Sequence, residues 1–162
     1  MMHKITKAGW TFSILLYLAV LIVTYTALPD KVGFQAGADG NPNQFISREQ
    51  YFYFGLGIFV FVNSIGFAIF NTLKSLPLAA ALYANDEQQK YDVLGWFSWF
   101  ILSLNWFLML AGAYITLFNR NDLVDLSEYN FIVFLAALFP LSSVLWLTAL
   151  PVRALKRKKT VS

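Results

Sequence analysis

The chain has 162 residues, of which 58% are hydrophobic and only 13% charged, against roughly 25% charged in a soluble domain. That deficit, with several apolar runs near the ~20 residues needed to cross a bilayer, puts it in the membrane class, and the net charge of +3 is no nucleic-acid signature. Without cysteine, and with His3 as its one histidine, the chain has no disulfide, no thiolate nucleophile and no Cys or multi-His metal site; no cofactor is expected.

A short polar start with Lys4 and Lys7 leads into the first apolar run, 10–28. The run exceeds the roughly 7–15 residues of a signal-peptide core and no Ala-x-Ala site follows, so it is expected to be a retained span. Residues 29–50 then form a loop rich in turn formers. Pro29, Asp30 and Gln35 precede Asp39-Gly40-Asn41-Pro42-Asn43, a strong turn signal whose oxygen side chains also suit a hard cation. The spacing is not that of a calcium-binding helix–loop–helix, and no metal is expected. These eight residues are the candidate surface for a ligand or partner.

The second span, 51–73, opens on Tyr51, Phe52, Tyr53 and Phe54, an aromatic cluster suited to the membrane interface. In the polar connection 74–92, Ser75-Leu76-Pro77 resembles a helix start, and residues 78–85 are expected to form a short helix on the membrane surface. The third span, 93–118, is rich in tryptophan. A second loop, 119–130, spaces Asp122, Asp125 and Glu128 by three, an acidic patch if helical. The fourth span, 131–150, has Pro140 in its middle, where a kink is expected. The tail 151–162 carries Arg153, Lys156, Arg157, Lys158 and Lys159, candidates for anionic lipid headgroups. Leu76-Pro77 and Leu150-Pro151 echo each other where the second and fourth spans leave the membrane; proline at an interface accounts for this more simply than a repeated hairpin.

Nine Lys and Arg lie at the two termini and the 74–92 connection, and three lie in the other two loops. By the positive-inside rule both termini face the cytoplasm and residues 29–50 face outward. The expected fold is an all-α membrane protein. It is a four-transmembrane-helix bundle with an ordered extracytoplasmic loop between its first two spans and a short cytoplasmic surface helix between its second and third.

No Asp, Glu, Lys, Arg or His falls within the four spans. Proton pathways and intramembrane acid–base enzymes depend on such groups, so the composition argues for a non-catalytic protein. The polar residues in the spans include Asn63, Asn71 and Asn105, with Asn63 and Gly66 on one face. They serve either as interhelical hydrogen bonds beside small residues or as a polar ligand pocket between the second and third spans. Aromatic surface exceeds what four helices bury among themselves, so contact with membrane lipids and with another integral membrane protein is expected; a nucleic-acid partner is not.

Leu28-Pro29-Asp30, Val32, the turn Asp39–Asn43, Phe45 and Ser47-Arg48 together resemble the N-terminal domain of SdpI-like bacterial membrane proteins, a group that includes bacteriocin-immunity proteins. The family's Pro and His fall on Gly33 and Gln35, and its Asp on Asn43. The resemblance runs through the second span. It implies a protein of the bacterial cytoplasmic membrane, with its outer loop beside the first two spans. The resemblance favours an immunity or signalling protein whose outer loop captures a peptide toxin; the uncharged spans and excess aromatics favour an accessory or regulatory subunit of a larger membrane complex, and the polar face of the second and third spans a small-molecule or lipid transporter.

Overall fold

In a computed structural model the described residues are 2–37, 42–80, 82–83, 86–120 and 131–161, with the side chains of 2, 3, 36 and 152–161 excepted. The described residues form four helices, α1 (Met2–Ala27), α2 (Arg48–Ser75), α3 (Glu87–Phe118) and α4 (Phe131–Val161), and one hairpin between α1 and α2 in the chain, β1 (Lys31–Ala36) and β2 (Pro42–Ser47). Each helix contains a stretch long and apolar enough to cross a membrane, the protein being multi-pass by that measure.

The helices overrun the expected spans because helical hydrogen bonding does not stop where the apolar band stops. α2 starts at Arg48 because Ser47 caps it: the Gln50 amide donates to Ser47 Oγ at 3.1 Å, and the Ser47 amide donates to Gln50 Oε1 at 3.0 Å. This reciprocal pair satisfies amides that the first turn leaves unpaired. Asp86 caps α3 by a single bond, its carboxylate accepting from the Gln88 amide at 2.8 Å.

Ser75-Leu76-Pro77 proves to be a helix end. Leu76 is extended, with φ −59° and ψ 138°, as the residue before a proline prefers, and α2 stops there. The expected surface helix over 78–85 is replaced, among the described residues, by successive turns. The amides of Ala80, Tyr83 and Asp86 each donate to the carbonyl three residues back. Tyr83 governs this connection. It is completely buried, and its hydroxyl donates to the Leu73 carbonyl at the end of α2. Pro151, by contrast, lies inside α4, so the two Leu-Pro steps are structurally unlike and mark no repeat.

α3 is the central helix, packing against α1, α2 and α4. Trp10, Phe70, Leu94, Phe97 and Ile101 form the core toward one end, and Tyr17, Leu21, Phe59 and Met109 continue it toward the hairpin. Gly66 lets α2 approach: a β-carbon there would stand 2.9 Å from Ile101 Cδ1. α4 runs antiparallel to α3. Trp96 Nε1 donates to the Ser143 carbonyl at 2.8 Å, Trp99 Nε1 donates to Ser142 Oγ at 2.9 Å, and Trp106 stacks on Phe139. Phe54, Phe61 and Phe67 on α2 and Phe134, Leu138 and Leu145 on α4 remain exposed on the outside of the bundle.

The fold is not all-α: the ordered connection over 29–50 contains a two-stranded sheet. β1 and β2 pair antiparallel with Lys31 opposite Ser47 and Gly33 opposite Phe45, and the register shifts on either side of Gln35. Val32 is fully buried, which seats the start of β1 on the bundle, while Phe34, where the register shifts, is about half exposed.

Candidate functional site

Asn63 and Asn105, 42 residues apart, meet as reciprocal amides between α2 and α3. Asn63 Nδ2 donates to Asn105 Oδ1 at 2.9 Å, and Asn105 Nδ2 donates back to Asn63 Oδ1 at 3.2 Å. α1 closes the circuit. Trp10 Nε1 donates to Asn63 Oδ1 at 2.8 Å, Asn105 Nδ2 donates to Ser13 Oγ at 2.8 Å, and Ser13 Oγ donates to the Trp10 carbonyl at 2.7 Å. Asn63 Nδ2 also reaches the Phe59 carbonyl at 2.9 Å. Three helices thus share one ring of hydrogen bonds around Asn105, which is fully buried.

The ring uses both donors of each asparagine and both acceptor positions of Asn63 Oδ1, so little capacity remains for a ligand. Of the two readings of these residues, the geometry matches interhelical bonding. Asn71 does not join; it is exposed on α2. Ser98, Ser103 and Thr116 donate to carbonyls of their own helix. Trp10 and Ser13 were missed in the sequence because neither is distinctive within an apolar run.

At the other end of α1 the hairpin is tied down at two points. Asn119 Oδ1 accepts from the Gly33 amide at 2.6 Å, and Asn119 Nδ2 donates to the Gly33 carbonyl and to the Ile115 carbonyl, both at 2.9 Å. The side-chain amide therefore pairs with Gly33 as a neighbouring strand would. Gly33 also has to be glycine, since a β-carbon there would stand 2.4 Å from Pro42 Cβ. Asn119 looked like the first residue of a loop; only the tertiary fold brings it to Gly33.

The second tie joins the motif residues on either side of the hairpin. Arg48 Nη2 pairs with Asp30 Oδ1 at 3.0 Å, Arg48 Nη1 donates to the Leu28 carbonyl at 3.3 Å, and the guanidinium lies 5.1 Å from the centre of the Tyr25 ring. The Leu28-Pro29-Asp30 and Ser47-Arg48 elements of the resemblance are therefore one contact.

Pro29 and Asp30 are exposed, Gln35 lies on β1 opposite Gln44, and Pro42 and Asn43 begin β2. Asp39, Gly40 and Asn41 lie outside the described residues, as do Asp122, Asp125 and Glu128 and the side chains of Arg153, Lys156, Arg157, Lys158 and Lys159. Beneath the hairpin an open cavity of about 810 Å³ is lined by Phe34, Ile46, Tyr51, Tyr53, Phe54 and Ile115, with Glu49 and Gln50 at hand. Among the described residues no three His, Cys, Asp or Glu side chains gather as a metal site would require. Comparison of the chain with family models, with characterised proteins and with solved structures finds no match.

Proposed function

We propose that this protein is a non-catalytic interaction protein of the bacterial cytoplasmic membrane, an accessory or regulatory subunit of a larger membrane complex, with both termini cytoplasmic and the hairpin outside. One observation carries the reading: the intramembrane asparagines are engaged with each other and with Trp10 and Ser13, so the polar face on which a transporter or enzyme would rely is occupied in holding helices together. The large exposed aromatic and aliphatic residues of α2 and α4 support the same reading, because the same helices present surface to lipid and to a neighbouring helix. The experiment is gentle solubilisation from the native membrane, capture through a C-terminal tag and mass spectrometry of what is retained. A stoichiometric integral membrane partner is the expected result. A monodisperse protein with no partner after mild crosslinking overturns the proposal.

A second reading, peptide-toxin immunity or signalling, is favoured by the contact that joins Asp30 to Arg48, where residues carrying the SdpI-like resemblance meet, and by the apolar cavity lined by Phe34 and Ile46 of the same hairpin. Under this reading, a host strain lacking the protein gains sensitivity to a peptide toxin, and Arg48→Gln fails to restore protection. Unchanged sensitivity to every peptide toxin of the host removes this reading.

A further inference from the structure

The end of the bundle away from the hairpin holds a second cavity, of about 380 Å³, into which three helices each bring a lysine: Lys7 from α1, Lys74 from the last turn of α2 and Lys90 from the first turns of α3. Its walls include Phe70, Leu78 and Leu94. Lys7 Nζ stands over the Phe70 ring at 5.4 Å from its centre. Lys90 Nζ donates to the Leu76 carbonyl at 2.7 Å and lies 5.4 Å from the centre of the Tyr83 ring. Lys90 is thus held by the connection, while Lys7 and Lys74 are exposed at the mouth. One carboxylate, Glu87, also lines the cavity and accepts from the Tyr91 hydroxyl at 3.0 Å. The lining thus holds three lysines and one carboxylate.

We propose that this cavity binds a phosphate group, and that the group belongs to an anionic glycerophospholipid. The lysines supply the charge for the phosphate. Phe70 and Leu94, at the edge of the bundle core, give the cavity an apolar wall against which the glycerol and upper acyl carbons of a lipid would pack and where a free phosphate gains nothing. The site sits where charged helix ends meet the apolar band, the depth at which headgroup phosphates are found, and basic pockets between membrane helices are suited to them. It is distinct in sequence from the basic tail, whose side chains lie outside the described residues. The inference stands independently of the partner proposed above.

The test uses the full chain in neutral detergent. It is titrated with short-chain phosphatidylglycerol, and bound lipid is counted by native mass spectrometry; parallel titrations use short-chain phosphatidylcholine and inorganic phosphate. One saturable phosphatidylglycerol is expected, binding more tightly than the choline lipid. Each lysine near a headgroup is worth about fivefold in affinity, so Lys7→Gln with Lys74→Gln is expected to weaken binding by tenfold or more. Lys7→Arg with Lys74→Arg is expected to retain it, which separates lost charge from lost folding. A variant with glutamine at Lys156, Arg157, Lys158 and Lys159 is expected to keep the single bound lipid. Equal saturation by inorganic phosphate keeps the phosphate site and assigns it to the free anion, overturning the lipid. Absence of saturable binding by either, or binding lost in the tail variant and kept in the Lys7 and Lys74 glutamine variant, overturns the site itself.

Discussion

The side-chain amide of Asn119 closes on both backbone groups of Gly33, 86 residues earlier in the chain. A helix end thereby acts as the third strand of a two-stranded sheet. An isolated hairpin is at best marginally stable in water, so this pairing, together with burial of Val32, explains how the hairpin holds its position on the bundle.

Asn119→Asp tests that pairing. The carboxylate loses the donor that reaches the Gly33 and Ile115 carbonyls and sets negative charge against both. A buried polar group left unpaired costs about 1–3 kcal/mol. Hydrogen exchange at the Gly33 amide is expected to quicken by tenfold or more, with amides in the middle of α3 unchanged. Equal exchange in the two proteins would refute the role.

Two glycines separate tight from open backbone. Gly33→Ala places a β-carbon 2.4 Å from Pro42 Cβ and is expected to shift the strand register and expose the hairpin to protease. Gly57→Ala meets nothing within 4 Å and sits inside α2, so it is expected to leave stability unchanged or raise it by up to about 1 kcal/mol. Thermal unfolding in detergent and limited proteolysis rank the two. The opposite order would show that the hairpin accommodates a side chain at position 33.

The asparagine ring predicts non-additive losses. Asn63→Leu and Asn105→Leu each orphan the other's amide, so the double variant is expected to be less destabilised than the summed singles, with a coupling of about 0.6–2 kcal/mol. A double-mutant cycle by denaturant unfolding in detergent measures it. Strict additivity would mean the two amides do not pair.

Tyr83 makes the connection sensitive to alkali. Burial raises the pKa of its hydroxyl above the ordinary 10.0, because the charged phenolate is poorly solvated there. The folded state therefore favours the neutral form. The stabilisation is fully present below the ordinary value and is lost as pH climbs through the higher folded one. Tyr83→Phe also removes the bond to the Leu73 carbonyl and is expected to cost about 1 kcal/mol at neutral pH. Unfolding measured against pH is expected to show a smaller alkaline loss in Tyr83→Phe than in the parent, and identical alkaline slopes would count against it.

The sequence by itself determined four membrane-length helices, because spans must satisfy their backbone internally and must be apolar at every lipid-facing position, a signal that is local and continuous. It also marked Asn63, Asn71 and Asn105 as interhelical polar residues; Asn63 and Asn105 pair, and Asn71 is exposed, because the residue type does not record which way a helix face turns. The hairpin was hidden: turn-forming residues mask the short alternation of 31–36 and 42–47, and what stabilises those strands is Asn119, far away in the chain. The surface helix failed because Tyr83 is drawn inward to the end of α2, which favours successive turns over a helical repeat. Tertiary structure alone decided that α3 is central, that Trp10 and Ser13 complete the asparagine ring, and that Lys7, Lys74 and Lys90 share a cavity. Each of these joins residues on different helices, and the spacing of charges and apolar residues along a single chain carries no record of which helix faces which.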